Sequence, residues 1–382
     1  MLLNKKLTIC IPTKNRHDFL SRLLNYYAST NFDGWLFIGD SSESTSLSKN
    51  HNLINKLKNQ LNIRYFEFPK LSAEKVLEEL SKSISTEFVV LSCDDDFLCS
   101  PSLGRCVKFL EKNQDYSAAH GKGFTLDIHS HGSFGEIANF CITPLPKIDA
   151  ESGCERLEQF IFHQLHNVNM LVTRRDIWVN AFQGLNKLSN LHSSFIFGEL
   201  ISASIVVIMG KIAEIDSLYL VRQGHPTSHY ANIYKNKFFE WFTDENWYTA
   251  HKLLYDRVLN EIVKKDKISS EKAKEKFRKI FFHFYANTIA NGYRGYLKRF
   301  GDSKQYDLSS RLLSIMTRIG YKDKLKKKLK KIYYRLSRLF ASKDNDKLSE
   351  LANLLRESSP YHKDFMPIYE AVTKQSYKGY NK

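Results

Sequence analysis

The sequence lacks apolar stretches long enough to mark export or a membrane span. The apolar run after residues 1–6 extends for only five residues before Pro12, too short for the core of a signal peptide. The most apolar later stretch, residues 200–210, has about half of the ~20 residues that cross a bilayer, and Glu199 adjoins it. These absences predict a cytoplasmic protein without a transmembrane helix.

Closely spaced cysteine pairs are also lacking. No two of the six cysteines have the CxxC spacing of redox motifs and of many zinc sites. Several of them lie in apolar runs, where a thiol behaves as a small hydrophobic side chain. A reducing compartment, such as the cytoplasm, fits this usage.

Proline and glycine become scarce after residue 236, and apolar residues there recur at helical spacing. We therefore expect a helical region over residues 231–382. Acidic residues are few in part of it: residues 321–340 hold nine Lys or Arg and one Asp, half of the net charge of +16.

This basic stretch has the pattern of one amphipathic helix, because its leucines and isoleucine are spaced four, three, four and three apart. Such a helix could attach to an anionic membrane surface. It could equally pack its leucine face on its own protein and leave the lysines in water. The sequence leaves both interpretations open.

The first third of the chain alternates short β-rich runs with amphipathic stretches. Apolar runs at residues 7–11, 35–38, 63–67 and 88–91 are separated by helix-like segments at 18–27 and 72–83. This alternation predicts βαβ units and an α/β fold with a mainly parallel sheet flanked by helices. Ligands of such sheets gather at the carboxyl ends of the strands.

Three adjacent carboxylates, Asp94, Asp95 and Asp96, follow the apolar run at 88–91. Their mutual repulsion is costly unless a cation neutralises it, and a metal is the simplest cation. In an extended segment Asp94 and Asp96 point one way and Asp95 the other. Mg²⁺ or Mn²⁺, held by one or two carboxylates and completed by diphosphate oxygens, suits such a site. A solvated acidic turn is the alternative.

Three motifs in register resemble those of the family-2-like GT-A glycosyltransferases. They are TICIPTKNR at 8–16, IGDSS at 38–42 and the strand followed by the three aspartates. The resemblance is strong over residues 5–110 and weak to about 230. It implies a GT-A, Rossmann-like catalytic domain over residues 1–230 and a nucleotide-sugar donor.

The resemblance also implies where the donor nucleotide binds. Asn15 and Arg16 belong to the first nucleotide loop, Asp40 lies where the base is contacted, and Lys75 is within reach of the donor. The full implied set is Pro12, Thr13, Asn15, Arg16, Asp40, Lys75, Asp94, Asp95 and Arg222. Asn15 could instead cap the following helix, Asp40 could be a turn residue and Lys75 a solvated lysine.

The implied catalytic base is Glu199, about a hundred residues after the aspartates. It departs from the usual Glu-Asp pair of the family, since Gly198 precedes it. A carboxylate in apolar company has a raised pKa and can take a proton from a hydroxyl. A glutamate favoured by the dipole at a helix N-terminus is the alternative.

The implied metal ligands are Asp94 and Asp96, with His225 completing the shell and His229 as its rival. A loop histidine at the surface is the competing interpretation for His225. The expected cofactor is Mn²⁺ or Mg²⁺.

Taken together, the residues and the resemblance predict an inverting, metal-dependent transfer from a nucleotide-sugar, with UDP favoured, to a hydroxyl of a glycan or lipid-linked acceptor in surface polysaccharide synthesis. A nucleic-acid-binding protein is one rival, but the basic run lacks the signature of an RNA-binding module. A sugar nucleotidyltransferase is the other, but the loop at 12–16 lacks the glycine-rich character of those enzymes.

Overall fold

The computed structural model describes residues 2–130, 132–162, 167–188, 194–225, 242–300 and 343–374. Nine strands form one sheet in the order β3-β2-β1-β4-β8-β6-β9-β5, and β7 pairs with β6. The strands are β1 (Leu7–Thr13), β2 (Trp35–Asp40), β3 (Asn62–Glu67), β4 (Phe88–Leu91), β5 (Phe97–Leu98), β6 (Tyr116–Ile128), β7 (Ile137–Thr143), β8 (Val172–Arg174) and β9 (Lys211–Gly224).

Eleven α-helices accompany the strands in the described ranges. Those of the first 230 residues are α1 (His17–Ser29), α2 (Ser44–Leu57), α3 (Ala73–Ser81), α4 (Ser100–Lys112), α5 (Gly153–Phe162), α6 (Arg175–Phe182) and α7 (Ser194–Met209). Those that follow are α8 (Trp247–Asp266), α9 (Ser270–Phe300), α10 (Lys343–Leu355) and α11 (His362–Thr373).

The first four strands confirm the predicted βαβ units. Strand β1 pairs in parallel with both β2 and β4, and β2 pairs in parallel with β3. The residues of β1 are almost all buried, as expected when helices cover both faces of a parallel sheet. Thr13 and Asp40 are register partners at the carboxyl ends of β1 and β2, so the loops after these strands meet at one edge.

The second half of the sheet is mixed. Strand β8 runs antiparallel to both β4 and β6, and β5 runs antiparallel to β9. Strands β6 and β7 form an antiparallel pair joined by the short loop at 129–136, whereas β6 and β9 pair in parallel. Parallel pairing, as expected from the sequence, thus joins β1 to β4 and also β6 to β9.

The expected helical C-terminal region is confirmed in the described ranges, and it packs on the α/β part. The carboxylate of Asp266, the last residue of α8, accepts hydrogen bonds from the backbone N–H groups of Gly153 (2.5 Å) and Cys154 (2.9 Å) at the start of α5. Asp364 of α11 pairs with Arg105 of α4 at 2.5 Å. The basic stretch 321–340 lies outside the described residues.

No helix in the described part of the chain combines the length and the apolar character that a bilayer span needs.

Candidate active site

The three aspartates lie in a turn between β4 and β5, which we call the acid turn (Asp94, Asp95 and Asp96). All three residues are at most 6% exposed. Residues 94 and 95 form a turn rather than an extended segment. The expectation that Asp94 and Asp96 point one way and Asp95 the other is therefore wrong, because alternation holds only in extended chain. Asp94 and Asp95 share Arg16, whereas Asp96 pairs with Arg222.

Asp94 is bound by the loop that follows β1. Its Oδ2 accepts a hydrogen bond from the Thr13 hydroxyl at 2.7 Å, and its Oδ1 lies 3.1 Å from Nη1 of Arg16. Burial raises the pKa of Asp94 to about 7, against the opposing charge of Arg16. The structure thus brings together three residues that the sequence assigned to the donor site.

Asp95 is shared between Arg16 and His225. Its Oδ2 lies 2.6 Å from Nη2 of Arg16 and 2.8 Å from Nε2 of His225. Burial acts to raise the pKa of Asp95, but the hydrogen bond to His225 and the charge of Arg16 outweigh it, so the pKa is lowered.

His225 is a buried residue and not a surface histidine. Its side chain is 0% exposed, and its ring stacks on Phe19 with centroids 4.8 Å apart. Its Nε2 also lies 2.9 Å from Nη2 of Arg16. The structure thus places His225 beside the acid turn, while its role as a metal ligand stays a prediction. His229, the rival, lies outside the described residues.

Asp96 faces the end of β9. Its Oδ2 lies 3.0 Å from Nε of Arg222, and its Oδ1 accepts a hydrogen bond from the backbone N–H of Gln223 at 3.1 Å. Burial raises the pKa of Asp96 to about 6, opposed by Arg222. In turn, the charge of Asp96 raises the pKa of Arg222. Arg222 also donates to Oδ1 of Asn167 at 2.8 Å.

Arginines therefore provide much of the positive charge that the sequence argument assigned to a metal. Arg16 and Arg222 pair with all three carboxylates while remaining partly exposed, with side chains 23% and 31% accessible. The repulsion among the aspartates does not by itself require a metal.

Ligand atoms for a cation are nevertheless present. Ligand atoms of Cys93, Asp95 and Asp96, one from each residue, lie within 4.8 Å of one another. Of the predicted metal ligands Asp94, Asp96 and His225, only Asp96 belongs to this group. Burial raises the pKa of the Cys93 thiol well above its usual range, and a protonated thiol is a poor partner for a hard cation. The carboxylate oxygens are the atoms that fit Mn²⁺ or Mg²⁺.

Arg22 completes the site, although it was not predicted from the sequence. This side chain of α1 is 1% exposed. It donates to the backbone carbonyl of Asp95 at 2.8 Å, to Oε1 of Gln223 and to the carbonyl of Ser133. One guanidinium thus joins the acid turn, β9 and the loop between β6 and β7.

A signal for Arg22 exists in the sequence. It lies three residues after Phe19 and four before Tyr26, on the buried face of α1. A charged residue on an apolar helical face requires buried partners.

The loop after β1 is fixed by its neighbour after β2. Asn15 has a positive φ of 56°. Its N–H donates to the Ser42 hydroxyl at 2.7 Å, and its Oδ1 accepts from the N–H of Glu43 at 2.9 Å. The interpretation of Asn15 as a helix cap is wrong, because α1 has no side-chain cap. Pro12, half-buried, is paired in register with Gly39.

Asp40 is 0% exposed and fully bonded within the protein. Its carboxylate accepts from the N–H of Ser42 (2.8 Å), the amide of Asn50 (2.6 Å) and the hydroxyl of Tyr65 (2.6 Å). It is therefore more than an ordinary turn residue, and it organises the loop that holds Asn15. Its contact with a nucleotide base stays a prediction.

Lys75 lies in the first turn of α3, which starts at the Ser72 cap. A side chain at Gly39 would collide with Val76, so glycine there lets α3 approach the end of β2. Lys75 is half-buried, and within the described ranges it makes no ion pair. A contact between Lys75 and a donor stays a prediction.

Glu199 is the sixth residue of α7, beyond the first turn, so the helix-dipole interpretation is wrong. Burial raises the pKa of this half-buried carboxyl, and the charge of Arg222 opposes the shift. The carboxylate has no hydrogen-bond partner among the described residues. The charge of Arg222 thus acts on Glu199, while its guanidinium pairs with Asp96 of the acid turn.

Comparisons with known proteins identify the fold. No protein-family model matches the sequence, and no curated protein matches it. Among solved structures, S. aureus TarS 1–349 in complex with UDP-GlcNAc is similar, with a TM-score of 0.51 and 16% identity over 80% of this chain and 77% of that one. This likeness confirms the predicted GT-A glycosyltransferase fold.

Two further structures are more distant. A longer S. aureus TarS chain has a TM-score of 0.48 and 14% identity over 80% of this chain, which spans only 46% of that one. The mannosyltransferase PcManGT from Pyrobaculum calidifontis, in complex with GDP-Man and Mn²⁺, has a TM-score of 0.40 and 10% identity over 84% of this chain and 82% of that one. At these scores the likeness carries no argument.

Proposed function

We propose that this protein is a nucleotide-sugar glycosyltransferase, and that the acid turn and its two arginines bind the donor's diphosphate. One observation carries the proposal. Buried carboxylates and partly exposed guanidinium groups meet at the carboxyl edge of β1 and β4, with Glu199 close enough to Arg222 for their charges to interact. Ligands of α/β sheets bind at this edge.

Arg16 and Arg222 are proposed to change partners when the donor binds. Each pairs with aspartates in the free protein and remains partly exposed. A guanidinium forms two parallel hydrogen bonds to phosphate as readily as to carboxylate. Moving to the diphosphate would leave Asp95 and Asp96 open to a cation.

The residues present fit a divalent metal. Asp96 and Asp95 would hold it through carboxylate oxygens, while the roles proposed for Asp94 and His225 need their present hydrogen bonds to rearrange. Bound there, Mn²⁺ or Mg²⁺ would stabilise the negative charge of a departing nucleoside diphosphate.

Glu199 is proposed as the base. Its carboxylate takes the proton of an acceptor hydroxyl, whose oxygen forms a bond to the anomeric carbon. The bond from that carbon to the diphosphate oxygen breaks, and the nucleoside diphosphate leaves with the electron pair. Attack opposite the leaving group inverts the anomeric centre, as the motif resemblance implies.

A UDP-sugar is the favoured donor, because TarS 1–349, which shares the fold, is in complex with UDP-GlcNAc. The proposed acceptor is a hydroxyl of a glycan or of a lipid-linked glycan, in surface polysaccharide synthesis. Attachment of residues 321–340 to an anionic membrane surface belongs to the same proposal.

A donor screen tests the proposal. The purified chain is incubated with UDP-, GDP-, CMP- and dTDP-sugars, with Mn²⁺ or EDTA, and thermal stabilisation and nucleotide release are measured. We expect a UDP-sugar to stabilise the protein and to be hydrolysed slowly in a metal-dependent way. Asp96→Asn should abolish this turnover, whereas Asp149→Asn, at an exposed aspartate, should retain it. Full turnover by Asp96→Asn contradicts the proposed site.

The same samples separate the rival functions. A nucleotidyltransferase would release pyrophosphate from a nucleoside triphosphate and a sugar phosphate. A nucleic-acid-binding protein would bind oligonucleotides in a salt-sensitive manner that EDTA does not change.

A further inference from the structure

The outward face of α9 changes from charged to apolar along its length. Arg278 and Lys279 are exposed, as expected of a surface helix. One and three turns later the same face carries Phe282, 76% exposed, and Ile289, 48% exposed. A helical face directed at water normally stays polar. This part of α9 therefore resembles a binding surface more than a solvated one.

The neighbouring helix extends the same surface. Tyr248 of α8 is 71% exposed and lies one turn before His251, on the face that also carries Tyr255. His251 and Tyr255 line one side of an open groove of about 610 Å³, and Phe281 and Phe282 line the other. We call Tyr248, Arg278, Lys279, Phe282 and Ile289 the aromatic–basic surface.

Exposed apolar residues are concentrated at this surface. In the part of the chain that the structure describes, five large apolar side chains are exposed, and three of them are Tyr248, Phe282 and Ile289. The other two, Leu2 and Ile142, belong to the N-terminus and to β7. Single exposed apolar residues need no explanation, but a group on one face marks an interaction site.

The charge of α9 indicates the kind of partner. The helix contains eight Lys or Arg and only two Glu. A second copy of this chain would present the same positive charge and would be repelled. An anionic partner is complementary.

We propose that the aromatic–basic surface docks the protein on an anionic lipid bilayer. Phe282 and Ile289 enter the boundary between headgroups and acyl chains, Tyr248 lies at the headgroup level, and Arg278 contacts the acidic headgroups. Lys279, which pairs with Glu158 at 3.1 Å, would exchange this partner for a headgroup. Each basic side chain near an anionic surface strengthens binding about fivefold. The surface consists of residues other than 321–340, and it does not depend on the proposed sugar transfer.

Vesicle co-sedimentation of the full chain tests the proposal. Vesicles of phosphatidylcholine alone are compared with vesicles that also contain phosphatidylglycerol. We expect binding to the anionic vesicles only, and Phe282→Glu should weaken it at least about tenfold by adding a charge and removing an apolar anchor. The matched control is Ile142→Glu, which makes the same kind of change at an exposed residue of β7 and should bind as the unmodified chain does.

A second measurement reports insertion directly. In Phe282→Trp, the fluorescence of the new tryptophan, taken as the difference from the unmodified chain, should shift to shorter wavelength on anionic vesicles and be quenched by brominated lipid. Donor hydrolysis without vesicles should be the same in Phe282→Glu and in the unmodified chain, which separates this proposal from the proposed function.

Three results would overturn the proposal. The first is undiminished vesicle binding by Phe282→Glu, which would place the contact elsewhere, for example at residues 321–340. The second is an equal loss in Ile142→Glu. The third is self-association that Phe282→Glu abolishes in a chain that binds no vesicles, since the surface would then join two copies.

Discussion

Replacing Arg22 with methionine tests whether one buried guanidinium holds the acid turn in place. Methionine fills much of the same space but donates no hydrogen bond. The substitution leaves three buried acceptors without their donor: the carbonyls of Asp95 and Ser133 and the side-chain oxygen of Gln223.

The size of the effect follows from two opposing contributions. Each buried acceptor that loses its donor costs about 1–3 kcal/mol, so three cost about 3–9 kcal/mol. Burial lowers the pKa of Arg22 by two to three units from its ordinary value, to about 10. At about 1.4 kcal/mol for each pKa unit, methionine avoids roughly 3 kcal/mol of unfavourable charge burial. We expect a net loss of about 3 kcal/mol, within the range for removing one partner of a buried charged contact.

Urea unfolding followed by circular dichroism measures the loss. Arg175→Met is the matched control, because Arg175 is exposed at the start of α6. Surface substitutions of this kind change stability by less than about 0.5 kcal/mol. If Arg22→Met and Arg175→Met unfold with free energies that agree within that margin, the bonding role assigned to Arg22 is refuted.

Two further predictions concern pH. Burial raises the pKa of Asp96 to about 6, so between about pH 4 and pH 6 the folded protein holds a proton there that the unfolded chain has lost. The stability that this proton contributes is fully present below about pH 4 and disappears as pH rises through 6. The unfolding free energy of Asp96→Asn should therefore fall less over that window than that of the unmodified chain. An unchanged fall would contradict the assigned environment. If Glu199 is the base, the acidic limb of the kcat/KM profile should have a pKa above that of an ordinary glutamate, since burial raises the pKa of this carboxyl. Glu199→Gln should lose transfer and keep donor binding. The control is Glu214→Gln, at an exposed glutamate of β9, which should keep both. Full transfer by Glu199→Gln would place the base elsewhere.

Strands β1 to β4 could be predicted because local pattern determines them. Each is a short apolar run separated from the next by an amphipathic helix, and this sequence pattern is typical of a buried parallel sheet. Strands β5 and β8 have two and three residues, too few to show a period. The pairing of β6 with β9 joins segments about ninety residues apart and has no local signal.

The candidate site also has residues that could be predicted from the sequence and contacts that could not. Thr13, Arg16 and the acid turn could be predicted because they follow strands whose ends meet at one edge of the sheet. The bonds of Asp40 to Asn50 and Tyr65 could not, because they depend on how α2 and β3 pack around that carboxylate. The turn pairs Asp94 and Asp95 with Arg16 and Asp96 with Arg222. This arrangement depends on tertiary contacts, which the alternation of side chains along a strand does not predict.

The C-terminal helix α11 determines how much of this protein can be exchanged as a unit. The carbonyl of Val372 in α11 accepts a hydrogen bond from the N–H of Gly135 at 3.0 Å, and the loop containing Gly135 also bonds Arg22 and Gln223 through its carbonyls. A chimaera joined at residue 230 that takes its tail from another protein would lose the support behind this loop. Grafting or shortening this fold should therefore retain residues 362–374 together with the first 230.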